Sequence, residues 1–141
     1  MQFVLDCSVA ISWCMPDEEN APANAIRLLL QAQNQAIVPA IFWTEIVNVL
    51  LVSERRGRLS RDNAQEILQL IQQLPIAIDP TQTQDTADAL LQLGRQHDLA
   101  AYDAAYLELA IRQELLLATL DSKLKAAAED CGVLLEIPTS D

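Results

Sequence analysis

Four acidic residues of this chain stand where carboxylates have a chemical use: Asp6, Glu45, Asp103 and Asp121. Asp6 and Asp121 each directly follow a short apolar segment, and Asp103 stands at the start of a predicted helix. Clusters of carboxylates bind hard cations such as Mg²⁺ and Mn²⁺. Such ions activate water and stabilise the charge that builds up on a phosphate group during hydrolysis. The residue types therefore indicate metal-assisted hydrolysis of a phosphate ester.

Glu45 is the acid that is hardest to explain as a surface residue. Its neighbours one helical turn away include Ile41, Phe42 and Val49, so it lies on an apolar stripe of a predicted helix. A buried carboxylate costs several kcal/mol unless it is paired or binds a metal. No Lys or Arg lies within helical reach of it. A metal ion and a salt bridge to a distant Arg are the two explanations that remain.

The other three acids have a simpler alternative explanation, because Asp is a favoured residue at helix N-termini. Two hydroxyl residues accompany the acids, since Ser8 lies two residues after Asp6 and Thr119 lies two residues before Asp121. These hydroxyls could hydrogen-bond the carboxylates and support a metal site. Ser8 could equally cap the helix that follows it. The sequence leaves both alternatives open.

The elements that must position these acids follow from the hydrophobic pattern, in which short apolar segments alternate with longer segments of helical periodicity. The predicted strands are residues 2–5, 36–38, 76–78, 116–120 and 133–137. The predicted helices are residues 20–34, 40–56, 60–74, 83–97, 103–113 and 121–130. Strands separated by helices predict an α/β fold of three layers, with a parallel sheet between helices. Ligands of such sheets bind beyond the carboxyl ends of the strands, which is where three of the acids stand.

The composition predicts one globular domain over residues 1–141. Hydrophobic residues make up 51% of the chain and charged residues 21%, which is enough apolar material for one core. The three cysteines have no CxxC spacing, so neither a disulfide framework nor a zinc site is indicated. No apolar segment approaches the roughly 18 residues of a membrane span. We therefore expect a protein of the cytoplasm that does not contact a membrane.

The net charge of −11 argues against nucleic acid as a partner, because phosphate binding usually requires a basic surface. Two features reduce this objection. Four of the nine basic residues, Arg55, Arg56, Arg58 and Arg61, form one cluster that could guide a nucleic-acid backbone. Bound divalent cations would also reverse the local field of the acids. A solvated turn around Gly57 is the alternative explanation of the arginines.

Other catalytic arrangements are poorly represented in the sequence. It contains no P-loop, no GxGxxG motif and no pair of histidines. The single histidine, His97, is predicted at a helix end, where a role as general base is the less favoured interpretation. Metal-assisted hydrolysis by the four acids is the reaction that the residue types support.

The segments around the acids resemble the motifs of PIN-domain nucleases, and especially of VapC-type toxins of bacterial toxin–antitoxin pairs. The opening LDCSVA at residues 5–10 is similar to the first family motif, and the likeness continues through residues 38–50. The most specific match is YDAAYLELA at residues 102–110, and the last is ATLDSKL at residues 118–124. Order and spacing match over essentially the whole chain.

This resemblance implies a three-layer α/β fold with a central five-stranded parallel sheet and a site that holds one or two Mg²⁺ or Mn²⁺ ions. It implies that Asp6 is the central ligand beside Asp103 and Asp121, and that Glu45 helps to hold the metal or orients the attacking water. Ser8 and Thr119 match the supporting hydroxyl positions. The implied activity is endonucleolytic cleavage of RNA that leaves 3′-hydroxyl and 5′-phosphate ends. The implied partners are an RNA substrate, a second copy in a homodimer and a cognate antitoxin.

The chain departs from the family pattern at Ala100, where relatives often carry Thr or Ser, and in its acidic overall charge. Three alternatives remain open at this point. A phosphatase could use Asp6 as its nucleophile, although Ser8 stands where such enzymes usually carry a second Asp. A non-catalytic module of the same fold could bind RNA or a protein. A purely structural explanation would leave three capping acids and one salt-bridged Glu45.

Overall fold

The computed structural model describes residues 1–14 and 21–137, apart from the side chains of residues 14, 21 and 22. Strands and helices alternate along the described chain, as the hydrophobic pattern predicts. In chain order the elements are β1 (Gln2–Leu5), α1 (Cys7–Cys14), α2 (Ala21–Gln31), β2 (Gln35–Val38), α3 (Ile41–Arg55), α4 (Arg61–Gln72), β3 (Ile76–Ile78), α5 (Thr83–His97), α6 (Ala101–Gln113), β4 (Leu117–Ala118) and α7 (Ser122–Asp130).

The strands form one parallel sheet in the order β3-β2-β1-β4. β1 is central, since it pairs with β2 on one side and with β4 on the other. Three consecutive residues of β1, Phe3, Val4 and Leu5, are all fully buried. Because successive side chains of a strand point to opposite faces, both faces of the sheet are covered. The predicted three-layer α/β fold with a parallel sheet is confirmed.

The prediction of a fifth strand is wrong for the described residues, which form four strands. The segment 133–137, predicted as a strand, makes only one isolated parallel bridge, between Leu134 and Leu117. Two backbone hydrogen bonds hold it there, from Leu117 N to Val133 O and from Leu135 N to Leu117 O. β4 is only two residues long, so it offers no further backbone groups with which the ladder could continue.

The predicted helix bounds agree with the structure to within about two residues, except for the helix predicted over residues 20–34. That helix ends three residues earlier, at Gln31, and residue 20 lies outside the described residues. Ser60 caps α4, as predicted, by accepting a hydrogen bond from Asn63 N at 3.0 Å. The helix predicted to begin at Asp103 begins two residues earlier, at Ala101. Its N-cap residue, Ala100, has no side-chain oxygen, so no capping signal marked the true start.

One ion network ties the end of β3 to α6. Arg112 Nη2 lies 2.7 Å from Asp79 Oδ2, and Arg112 Nε lies 2.8 Å from Glu108 Oε2. Asp79 and Glu108 are both buried, and the guanidinium lowers the pKa of Asp79 mainly through its hydrogen bonds. The network therefore stabilises two ionised carboxylates at the edge of the fold.

No helix in the described part of the chain is both long enough and apolar enough to span a membrane.

We predict that Arg112→Met lowers the free energy of unfolding by about 2–4 kcal/mol, because it leaves two buried carboxylates without their cation. The pKa of Asp79 is lowered in the folded protein, so its contribution is fully present above the unfolded pKa, about 3.9. The difference between the two proteins should therefore shrink as the pH falls below about 4. Urea denaturation at pH 7 and pH 3 measures both effects.

Lys123→Met is the matched control, since Lys123 forms an exposed ion pair with Asp98. It should change stability little at either pH. An Arg112→Met protein as stable as the wild type at pH 7 would show that the network does not hold β3 to α6.

Candidate active site

The sheet brings Asp6 and Asp121 to the same edge. Asp6 follows β1, and residues 119–121 carry the chain from β4 into α7. The two strands pair in parallel with Leu5 opposite Ala118, and Asp6 N donates a hydrogen bond to Ala118 O at 3.0 Å. Neighbouring parallel strands end side by side, so the two acids enter one site beyond their carboxyl ends.

Asp6 is the most enclosed of the four acids, with 3% of its surface exposed. Its Oδ2 accepts hydrogen bonds from Ser8 Oγ at 2.5 Å and from Thr119 Oγ1 at 2.7 Å. Burial raises the pKa of Asp6, and the two hydroxyls and the Ser8 backbone N–H partly offset that rise. Both hydroxyls converge on Oδ2, so neither occupies Oδ1.

Ser8 and Thr119 also tie Asp6 to the segment that leads into α7. Ser8 Oγ accepts a hydrogen bond from Leu120 N at 3.0 Å, and Thr119 Oγ1 accepts one from Asp121 N at 3.0 Å. Ser8 is the second residue of α1 and its hydroxyl faces Asp6, so it does not act as a helix cap. Of the two interpretations that the sequence left open, the structure favours support of the carboxylate.

Glu45 reaches the site from α3 and is held by a tyrosine of α6. Tyr106 donates a hydrogen bond from its hydroxyl to Glu45 Oε1 at 2.7 Å. Tyr106 is fully buried, and burial together with the carboxylate raises the pKa of its hydroxyl, which stays protonated as a donor. The salt bridge that the sequence left possible for Glu45 is absent from the ion pairs of the described residues, which join Arg112 to Asp79 and Glu108, and Lys123 to Asp98.

The four acids share one electrostatic field. Burial is the largest cause of the raised pKa of Asp103, and the charges of Asp6 and Asp121 raise this pKa further. Burial also raises the pKa of Glu45, with further contributions from the charges of Asp6 and Asp103. Interactions of this kind fall off with distance, so acids from four separate segments of the chain lie near one another.

Helix capping accounts for Asp121 and in part for Asp6, whose carboxylate also accepts a hydrogen bond from the Ser8 backbone N–H of α1. Asp121 caps α7, since its Oδ2 accepts a hydrogen bond from Leu124 N at 2.8 Å. Asp6 precedes α1, but its side chain is also bound by two hydroxyls from separate segments. Asp103 is the third residue of α6 rather than its cap. Capping therefore does not account for Asp103 or for Glu45, although Asp103 lies in the first turn of α6, where its charge suits the helix dipole.

The donor set fits Mg²⁺ or Mn²⁺, because it consists of carboxylate oxygens whose charges no Lys or Arg of the described residues neutralises. Within residues 1–14 and 21–137, no three acidic, cysteine or histidine side chains surround a single point closely enough to enclose an ion as they stand. Carboxylates repel one another until a cation lies between them. Burial is the main cause of the raised pKa values of Asp6, Glu45 and Asp103, and the charges of neighbouring acids add to it.

The remaining predicted residues lie apart from the acids. His97 is the last residue of α5, and its Nε2 lies 3.6 Å from Cys131 Sγ. The four clustered arginines are exposed at the turn between α3 and α4. Arg55 stands ten residues after Glu45 on α3, which places it about 15 Å further along the helix axis.

Tyr106 is the site residue that reasoning from the residues missed. The usable signal was its spacing from Asp103, since residues three apart share one face of a helix. The hydroxyl of a buried tyrosine side chain also needs a hydrogen-bond partner. Its partner, Glu45, lies 61 residues away in the chain, so the local sequence of α6 could not identify it.

Parallel α/β sheets bind their ligands beyond the carboxyl ends of their strands, which is where Asp6 and Asp121 lie. The sequence profile of the PIN domain family matches residues 3–130, so the chain belongs to the PIN domain family.

Two comparisons with individual proteins agree with this assignment. The chain is 29% identical to Ribonuclease VapC3 of Pyrobaculum aerophilum over 124 residues, which are 88% of this chain and 92% of that protein. Its fold is similar to the crystal structure of PAE2754 from Pyrobaculum aerophilum, with a TM-score of 0.67 and 21% identity. That similarity covers 90% of this chain and 79% of the other.

We predict that Tyr106→Phe lowers the free energy of unfolding by about 1 kcal/mol at pH 7, through loss of the hydrogen bond to Glu45. That hydrogen bond lowers the pKa of Glu45, so its removal raises this pKa further and penalises the ionised form. The loss should therefore be smaller at pH 4.5 than at pH 7, because a pKa raised above 4.5 leaves Glu45 mostly protonated at the lower pH. Urea denaturation at the two pH values is the measurement.

Tyr102→Phe is the matched control, since Tyr102 lies one turn earlier on α6 and is exposed. It should change stability little at either pH. Equal stability of Tyr106→Phe and wild type would contradict a role for the hydroxyl in holding Glu45.

Proposed function

We propose that this protein is a Mg²⁺- or Mn²⁺-dependent endoribonuclease, the toxin of a toxin–antitoxin pair. The observation that carries the proposal is the shared electrostatic field of Asp6, Glu45, Asp103 and Asp121 at one edge of the sheet. Membership of the PIN domain family and the likeness to a protein named as a VapC ribonuclease support it.

In this proposal Asp6, Asp103 and Asp121 hold the metal, and Glu45 completes the set. A bound Mg²⁺ or Mn²⁺ would activate water and neutralise charge on the scissile phosphate and the leaving oxygen. Ser8 and Thr119 fix one oxygen of Asp6 by hydrogen bonds, so that the carboxylate keeps a single orientation. The chain thus prepares its central ligand before any cation binds.

Glu45 is the acid best suited to receive a proton from the attacking water. Its raised pKa makes the ionised carboxylate a stronger base than an exposed glutamate. Tyr106 occupies Oε1 as a hydrogen-bond donor, which orients the group without neutralising it. Tyr106 is therefore a positioning residue in the proposed reaction.

The phosphatase alternative is less well supported. Ser8 binds the carboxylate of Asp6 directly, which suits a fixed ligand better than a nucleophile. A phosphatase of this kind also needs a basic residue to hold the phosphate, but Lys123 forms an ion pair with Asp98. A non-catalytic module would have no need for three buried or half-buried acids with raised pKa values, although the fold alone does not distinguish it.

The proposed partners are an RNA substrate, a cognate antitoxin and a second copy of the chain, all in the cytoplasm. Exposed apolar side chains on α3 and α4 support the homodimer, namely Val47, Leu51 and Leu70. The sequence of α6 is strongly apolar as well. Residues 106–110 of α6 are instead buried within the subunit, so α3 and α4 are the more suitable surface.

We predict that Asp6→Asn and Asp103→Asn each lower the rate of RNA cleavage at least about hundredfold while the fold is retained. The reason is loss of a carboxylate ligand from the proposed metal set. The measurement is cleavage of total RNA in Mn²⁺ with mapping of the ends, which should be 3′-hydroxyl and 5′-phosphate. EDTA should abolish the cleavage.

The matched control is Asp88→Asn, which neutralises an exposed acid on α5. It should cleave like the wild type. Cleavage that persists in Asp6→Asn or in EDTA would refute the metal mechanism, and a trapped phosphoenzyme would favour the phosphatase.

We further propose that the arginine cluster at the turn between α3 and α4 binds the RNA backbone. The combined change of Arg55, Arg56 and Arg58 to Gln should weaken RNA binding and flatten its dependence on salt concentration, because fewer counterions are released. Fluorescence anisotropy of the Asp6→Asn protein with labelled RNA at several salt concentrations measures the slope. An unchanged slope would mean that the arginines only face solvent.

A further inference from the structure

A cavity of about 210 Å³ opens at the same edge of the sheet as the four acids. It lies between α5 and α6 and is bounded by the residues that follow β2 and β3. The residues that set the polarity and shape of its walls include Pro39, Asp79, Thr81, Thr86, Tyr102 and Arg112. Its volume is below the roughly 300–1,000 Å³ of sites for drug-sized ligands, which suits a single small ring system.

The cavity adjoins the candidate active site through two helices. Ile41 lines it and stands one helical turn before Glu45 on α3. Tyr102 lines it and directly precedes Asp103 on α6. A ligand in the cavity therefore lies within about one helical turn, roughly 5–6 Å along each axis, of two of the site acids. That spacing suits a neighbouring unit of one polymeric substrate.

The charges of the cavity disfavour a phosphate as its occupant. Arg112 contributes the only cation of its lining, and Asp79 and Glu108 contribute two carboxylates. Arg112 already donates hydrogen bonds to Asp79, Thr81 and Glu108. The three charges sum to −1, so an anion would be repelled. All four carboxylate oxygens already accept hydrogen bonds from Arg112, but Asp79 Oδ2 and Glu108 Oε2 accept only one each, which leaves each of them a further lone pair for an N–H donor of a ligand.

The other walls suit a flat aromatic ligand. Tyr102 is 60% exposed although it lines the cavity, so its ring is available for stacking. Pro39 and Leu109 add apolar surface, and Thr81 and Thr86 add hydroxyls. Unpaired RNA bases are recognised by an aromatic platform together with hydrogen bonds to the base edge. Carboxylates in particular accept hydrogen bonds from exocyclic amino groups.

We propose that this cavity binds one unpaired base of the RNA substrate beside the cleavage point and selects the bases that carry an exocyclic amino group, adenine, cytosine or guanine, over uracil. The inference rests on the proposed ribonuclease function for its substrate. Tyr102 stacks on the base, and the acceptor capacity that remains on Asp79 Oδ2 and Glu108 Oε2 takes the hydrogen bond from the amino group.

The test is binding of labelled rA6, rC6 and rU6 to the Asp6→Asn protein by fluorescence anisotropy. rA6 or rC6 should bind at least about fivefold more tightly than rU6, the size of one stacked and hydrogen-bonded base. Ala105→Leu should remove this difference, since Ala105 lines the cavity and a larger side chain fills it. Tyr102→Leu, at an exposed position, is the second variant and should remove it without loss of the fold.

The matched control is Ala126→Leu on an exposed face of α7, which should keep the preference. Equal binding of the three RNAs, or a preference that survives both cavity variants, would overturn the inference. Adenosine monophosphate that competes as strongly as rA6 would also overturn it, because the occupant would then be a free nucleotide. If the preference depends on the cavity but the wild type cleaves no RNA, the cavity inference stands and the proposed nuclease fails.

Discussion

Repulsion among carboxylates that the fold forces together is the interaction on which this site depends. Parallel pairing of β1 with β4 sets Asp6 and Asp121 side by side, and α3 and α6 bring Glu45 and Asp103 to the same edge. Burial and the neighbouring charges raise the pKa values of three of these acids. A fold that holds acids in this state carries a cost that a divalent cation would remove, which is why the proposed function begins from the metal.

A second pair of acids at the same edge of the sheet, Asp79 and Glu108, is neutralised by an arginine of the chain itself. Asp79 and Glu108 are buried like Asp6, but they share Arg112, and the pKa of Asp79 is lowered instead of raised. Asp6 is enclosed more deeply than Asp79, and Asp79 and Glu108 also have a guanidinium beside them, so both burial and the partner separate the two groups. Around the site acids the chain supplies neutral donors, from Ser8, Thr119 and Tyr106. These donors orient carboxylates and leave their charge for an external cation.

Much of the fold could be predicted from local pattern, and the site only in part. β1, β3 and α5 have the predicted bounds because short apolar segments and turn residues mark their ends. The start of α6 was missed because Ala100 gives no capping signal, and the fifth strand was wrong because its neighbour β4 is too short to extend the ladder. Asp6 and Asp121 were found because they follow strands, and Glu45 was found because it lies on an apolar stripe of a helix. Asp103 was expected at the end of a strand, but in the described chain no strand separates α5 from α6. The Tyr106–Glu45 and Arg112–Asp79 contacts join residues that are 61 and 33 positions apart, and only the tertiary arrangement of α6 against its neighbours creates them.

Calorimetric titration of the protein with Mn²⁺ tests the central claim most directly. The account predicts a binding site in the wild type whose occupancy releases protons at mildly acidic pH, because carboxyls with raised pKa values must ionise to bind the cation. The site should be lost in Asp6→Asn and kept in Asp79→Asn. A wild-type protein that binds no Mn²⁺, or an Asp6→Asn protein that binds it equally well, would contradict the account.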